Sequence, residues 1–171
     1  EMCIRDRYIS GLKGEKLIAD VNKYSKDIDM DNNAQVLVNF NKGAKGIVWT
    51  CVTAKGGVYG LRIRVYGSKG SLEWVQNDPN YLKFNPSKGA VKFLERGYTN
   101  ANFSKKFSRI KFGHPEGYLD AFANIYKEFS DYLKTNTKKR FYFPNEDEGL
   151  ETAKFIDACK KSSLKKQWVK I

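Results

Sequence analysis

The chain has 171 residues, enough for one domain with a sizeable core or a domain with a short appendage. Apolar residues make up 41% and aromatics 14%, which excludes disorder. The net charge of +12 comes from 24 scattered lysines against seven arginines, with no long basic tract and only short clusters such as Lys105-Lys106 and Lys165-Lys166. Groove readers favour the planar fork of Arg, so this charge reads as a solvated surface. A basic module for nucleic acid or an acidic partner stays open as the alternative.

No apolar run approaches the roughly 20 residues that span a bilayer, and Glu1–Arg7 lacks the apolar stretch of a secretory signal. The expected compartment is the cytoplasm, with no membrane contact. Cys3, Cys51 and Cys159 form no Cys-x-x-Cys pair. Neither a disulfide framework nor a metal site is expected from them. Cys51 in a strand and Cys159 on a helix read as buried small hydrophobes.

In chain order, Leu17–Val21 alternates as a strand, and Asp31-Asn-Asn33 turns the chain into a second, Ala34–Phe40. Asn41-Lys-Gly43 leads to Gly46–Ala54, apolar on both faces and therefore expected at the centre of a sheet. After the break at Lys55-Gly-Gly57, residues 60–74 read as a hairpin. Leu61, Ile63 and Val65 share one face, Arg62, Arg64 and Tyr66 the other, and Gly67-Ser-Lys-Gly70 makes the reversal. Tyr81–Phe84 and Ala90–Leu94 follow as strands on either side of Asn85–Gly89. Such short connections favour antiparallel pairing.

The segment 97–113 reads as a long irregular loop, the kind that is functional in compact domains. Leu119, Phe122, Tyr126, Phe129 and Leu133 then recur at helical spacing as one apolar stripe. A second helix follows Pro144, with Asn145 as N-cap, Glu148 completing a capping box, and Leu150, Ala153, Ile156 and Cys159 as its buried stripe. Trp168–Ile171 reads as a strand returning to the sheet edge. The expected fold class is α/β of the α+β type, a predominantly antiparallel open-faced sheet with helices on one side. Trp49 or Tyr66 would line the open face, which is expected to bury itself in a homo-oligomer.

Several segments in fixed order carry a family resemblance: Tyr8-Ile-Ser-Gly-Leu12, Asp31–Phe40, Gly60–Trp74, Gly113–Tyr126, the helix from Asn145, and Trp168-Val169. Together they resemble the C-terminal domain of the glucose–fructose oxidoreductase / inositol dehydrogenase (Gfo/Idh/MocA) family. The resemblance implies an N-terminal Rossmann domain that binds NAD or NADP in the full-length parent. It also implies a sugar or polyol substrate met by this domain. Residues 8–171 would then be a substrate-binding and oligomerisation domain. Residues 1–7 read as a non-native N-terminus, since Met2–Arg7 resembles adapter read-through and Glu1 stands where the family's catalytic His is expected.

No G-x-G-x-x-G fingerprint occurs: Gly56-Gly57 and Gly60 lead into a strand, not a helix. The family's Glu-Lys-Pro is also absent. No catalytic or cofactor-binding residue is therefore expected in this chain, which alone should be inactive. What remains of a site is Gly113–Tyr118. His114, the single histidine, has suitable chemistry for contacting a sugar hydroxyl. Tyr118 offers a hydroxyl as a second substrate contact. Glu116 reads as a helix N-terminal acid with no further role. A structural oligomerisation domain without a ligand is a third reading.

Overall fold

The computed structural model describes residues 9–25, 27, 29–57, 60–97, 102–135 and 142–171. The expected N-terminal boundary at residue 7 and Cys3 lie outside them. The described elements are β1 (Gly14–Asn22), β2 (Asn33–Phe40), a 3-10 turn (Asn41–Gly43), β3 (Lys45–Cys51), β4 (Arg62–Gly67), β5 (Gly70–Val75), β6 (Tyr81–Pro86), β7 (Lys92–Glu95), α1 (Asn102–Phe107), α2 (Tyr118–Lys134), α3 (Glu146–Lys165) and β8 (Val169–Lys170). They fall into two compact units, one taking the described residues of 1–57 and 144–171, the other those of 58–143.

The first unit is a four-stranded antiparallel sheet in the order β3-β2-β1-β8. Register pairs Leu17 with Val38 and Ala19 with Val36. Alternation puts these four side chains on one face, where they are buried together with Ala158 and Cys159 of α3. Because β8 has only two residues, it leaves the outer edge of β1 short of partners. Two helix hydroxyls finish the edge: Ser162 Oγ accepts from Ala19 N (3.0 Å) and Ser163 Oγ from Val21 N (3.0 Å). Buried backbone donors must be paired, and an uncovered strand edge is a liability. Ser162 Oγ in turn donates to Gln167 O at 2.7 Å, where the chain leaves the helix.

The capping box at the start of α3 forms as expected. Glu148 N donates to Asn145 Oδ1 (2.9 Å) and Asn145 N to Glu148 Oε2 (3.0 Å). The buried line of the helix differs from the expected one. Leu150, Ala153 and Ile156 are exposed, and the packed face runs through Phe155, Ala158, Cys159 and Ser162. The centre of β1 and β2 needs small groups there, which Ala and Ser provide.

Strand β3 corrects a second expectation. Among the described residues it is an edge strand, and Ile47 is 78% exposed. Apolar groups on both faces come from Val48, turned toward the core, and from Ile47 and Trp49, turned the other way beside Leu37 and Gln35. On that second face Leu37 and Trp49 are exposed as well.

The second unit carries its own antiparallel sheet, β4-β5-β6-β7. The β4–β5 hairpin turns at Ser68-Lys69, with Gly70 at φ +144° and no room for a Cβ against the Asn85–Pro86 backbone. Ile63, Trp74, Leu82 and Leu94 stand in one cross-strand row, each only half-buried. On the opposite face Glu73 pairs with Arg62 (3.5 Å) and Arg64 (3.4 Å). The region expected to be irregular contains the short helix α1. The apolar stripe of α2 forms at the predicted spacing, but it is exposed: Leu119 is 81% accessible.

Candidate functional site

The segment between α1 and α2 holds the residues singled out from the sequence, and a buried carboxylate fixes its path. Glu116 is 8% exposed. Its Oε1 accepts the backbone N–H of Arg109 and of Ile110 (2.6 Å for the latter), and lies 3.2 Å from Arg96 Nη1. This corrects the reading of Glu116 as a helix N-terminal acid. The N-cap is Gly117, so Glu116 precedes the helix, and the first-turn acid is Asp120, whose Oδ2 accepts from Gly117 N (3.0 Å).

Asn80 and Arg96, just before β6 and just after β7, complete the arrangement. Asn80 Nδ2 donates to Glu116 O (3.0 Å), and its Oδ1 accepts from Glu116 N (3.0 Å) and Arg96 Nε (3.1 Å). Arg96 Nη2 donates to His114 O at 2.7 Å. The neighbouring Gly97 adopts φ +87°, and any Cβ there would strike the Phe112 ring. Asn124 of α2 secures the start of the segment, donating to Phe107 O (2.7 Å) and accepting from Arg109 Nε (2.9 Å).

His114 and Tyr118 therefore sit four residues apart at the entry to α2, both exposed. The backbone of His114 is held, while its Nδ1 lies 3.4 Å from Phe112 O. The ring of Tyr118 leans on Phe122 at 4.8 Å between centroids. Both side chains offer polar atoms to solvent, which suits contact with a hydroxylated ligand. Arg96, Asn80 and the buried state of Glu116 escaped the sequence reading because their link spans 36 residues of chain. One local signal was available: Gly117 after Glu116 places the helix start beyond the acid.

A second buried carboxylate lies in the same unit. Glu128, 5% exposed, pairs with Lys106 Nζ (2.7 Å) and accepts from Tyr142 N (3.2 Å). The ammonium also stands over the rings of Tyr142 (4.6 Å) and Phe107 (4.9 Å).

In the first unit, a cavity of about 710 Å³ opens beside α3, walled by Val36, Val48, Val52 and Phe155. Asn32 lines it as well, with Oδ1 accepting from Tyr24 N and Nδ2 without a partner. Lys23, Asp29, Asp31, Thr50 and Lys160 line it too. Cys51 corrects another expectation, for it is only half-buried, whereas Cys159 is buried. The Cys51 sulfur lies 3.4 Å from Thr53 Oγ1, and the hydrogen bond to that hydroxyl holds the thiol below its ordinary pKa.

Among the described residues no group of three or more His, Cys, Asp or Glu stands together as a metal site, and no helix is long and apolar enough to cross a membrane. A dinucleotide needs a glycine-rich turn at a helix N-terminus. Here Gly56-Gly57 and Gly60 precede strand β4, and the helices begin after Ala101, Gly117 and Asn145. Among the described residues no glycine-rich turn runs from a strand into a helix N-terminus.

Residues 11–171 match the family model described as "Oxidoreductase family, C-terminal alpha/beta domain". The chain is 29% identical over 160 residues to YfiI, an uncharacterized oxidoreductase of Bacillus subtilis strain 168, covering 89% of this chain and 41% of that protein. It resembles the crystal structure of an oxidoreductase from Sinorhizobium meliloti (39% identity, TM-score 0.89, 98% of this chain and 49% of that one). It also resembles an inositol dehydrogenase homolog from Azotobacter vinelandii complexed with NADH and myo-inositol (27% identity, TM-score 0.81, 95% and 45%). The chain thus spans about half the length of these relatives.

Proposed function

The chain belongs to the Gfo/Idh/MocA oxidoreductase family, as its C-terminal α/β domain, and from that premise we propose that it is the substrate-side domain of an NAD(P)-dependent dehydrogenase of sugars or cyclitols. In this reading the cofactor, which accepts the hydride, is held by a part of the parent outside this chain. His114 and Tyr118 bind and orient the substrate hydroxyls, and the chain contributes no proton-transfer residue. The open sheet face of Leu37, Ile47 and Trp49 serves as the contact between copies, and residues 8–171 act as one substrate-binding and oligomerisation domain.

The observation that carries the reading is the presentation of His114 and Tyr118 on a segment whose backbone is pinned by buried polar groups. A rigid backbone with exposed, hydrogen-bonding side chains is what a hydroxyl-rich substrate requires. Similarity to a homolog complexed with NADH and myo-inositol supports the substrate class.

The test is steady-state kinetics of the full-length parent with a panel of polyols and aldoses, using NAD and NADP in turn. His114→Ala should lower kcat/KM through the polyol KM, by the loss of one hydrogen bond of about 0.5–1.5 kcal/mol, with the cofactor KM unchanged. The 171-residue chain alone should form no reduced cofactor. A His114→Ala enzyme with parental kinetics and a lowered Tm would make the residue a structural one.

A further inference from the structure

We infer that Arg96 and Glu116 are positioning residues that fix the backbone of His114 and so decide where its imidazole points. The inference deepens the proposal above and rests on His114 facing substrate. Its geometry stands independently.

Two guanidinium nitrogens of Arg96 donate hydrogen bonds, and the third, Nη1, is held only by charge, beside a carboxylate with which it makes no hydrogen bond. Nε donates to Asn80 Oδ1 (3.1 Å), Nη2 to the carbonyl of His114 (2.7 Å), and Nη1 lies 3.2 Å from Glu116 Oε1. That carboxylate oxygen also receives the backbone N–H groups of Arg109 and Ile110. One ion pair of a buried carboxylate and a partly buried guanidinium therefore touches the segment at residues 109, 110, 114 and 116. Asn80 holds Glu116 by both its N–H and its carbonyl.

A buried carboxylate–guanidinium pair loses hydration that its attraction barely repays, so its main contribution lies in the backbone groups it holds in place. What the pair supplies is directional geometry: planar donors aimed at fixed acceptors. The clamp grips the main chain and leaves the imidazole exposed. Lysine cannot substitute, because one ammonium cannot reach three oxygens that diverge from a fork.

Proton NMR of the 171-residue chain reads this directly, since its single histidine gives one set of imidazole signals. Arg96→Lys should shift the His114 Hε1 and Hδ2 resonances by more than their linewidth or split them into several sets. Glu116→Gln is milder, since the amide oxygen can still accept from residues 109 and 110. It should produce a smaller shift in the same signals, and it carries the test if Arg96→Lys loses its folded circular dichroism. Glu128→Gln is the control, weakening the same unit through Lys106 and Tyr142 without touching the segment; it should leave the His114 signals in place. Superimposable His114 signals in both clamp variants would overturn the inference, as would an equal shift in the control. The readout involves no substrate, so the clamp can fail while the kinetic test of His114 succeeds, and the reverse.

Discussion

The two units solve the problem of burial in opposite ways. Every buried apolar side chain among the described residues lies in the first unit, at Leu17, Ala19, Val36, Val38, Ala158 and Cys159. In the second unit the buried side chains among the described residues are two glutamates, Glu116 and Glu128. The first unit gains from removing apolar surface from water. The second holds its segments by ion pairs and backbone bonds, which give direction more than stability. The candidate substrate residues lie in the unit organised by geometry. That unit also leaves the apolar stripe of α2 uncovered, a surface of the kind that marks contact sites.

The largest expected effect tests the first half of this contrast. Leu17 is fully buried between β2 and α3, so Leu17→Ala should cost about 2–5 kcal/mol in chemical denaturation. Its counterpart, Leu82→Ala in the half-buried row of the second sheet, should cost about half as much, because part of the side chain is already in water. The tryptophans separate the units: Trp49 and Trp168 report the first, Trp74 the second. Equal costs for the two substitutions would erase the contrast.

A smaller effect tests the second half. Glu128→Ala strands the Lys106 ammonium and the Tyr142 N–H, and should cost about 1–3 kcal/mol, seen in Trp74 fluorescence. The surface pair Lys161–Asp157 of the first unit (2.6 Å, both side chains more than half exposed) should give about 0–1 kcal/mol when broken by Asp157→Ala. A Glu128→Ala loss as small as the Asp157→Ala one would show that burial of the carboxylate carries no weight.

The same contrast explains what could be read from the sequence. Strands and hairpin were legible because alternation is local, and the Asn145–Glu148 box because its partners lie three residues apart. The passage from loop to helix was legible too, since Gly113 and Gly117 bracket it. Coverage was not legible. Alternation marks Ile47 and Trp49 as apolar but cannot say that β3 is an edge, and the stripe of α2 reads the same buried or exposed. The role of Glu116 was hidden because a carboxylate before a helix has an adequate local explanation, and its true partners, Arg96 and Asn80, come from distant turns of the chain.

The smallest expected effect probes where the dry core of the first unit ends. Cys51 closes β3 and is half-buried, whereas Cys159 lies within the core. The Thr53 hydroxyl stabilises the Cys51 thiolate, and a lowered pKa raises the thiolate fraction at any pH below it, which speeds alkylation. In a Cys3→Ser background, iodoacetamide at neutral pH should therefore label Cys51 well before Cys159, as followed by peptide mass spectrometry. Thr53→Val removes the donor at nearly constant volume. It should move the midpoint of the Cys51 pH–rate profile upward, toward that of an ordinary thiol, and leave Cys159 as slow as before. An unmoved midpoint would remove the hydroxyl as the cause. Should Cys159 label as fast as Cys51, the first unit would be opening locally, and its core would be no drier than the clamped carboxylates of the second.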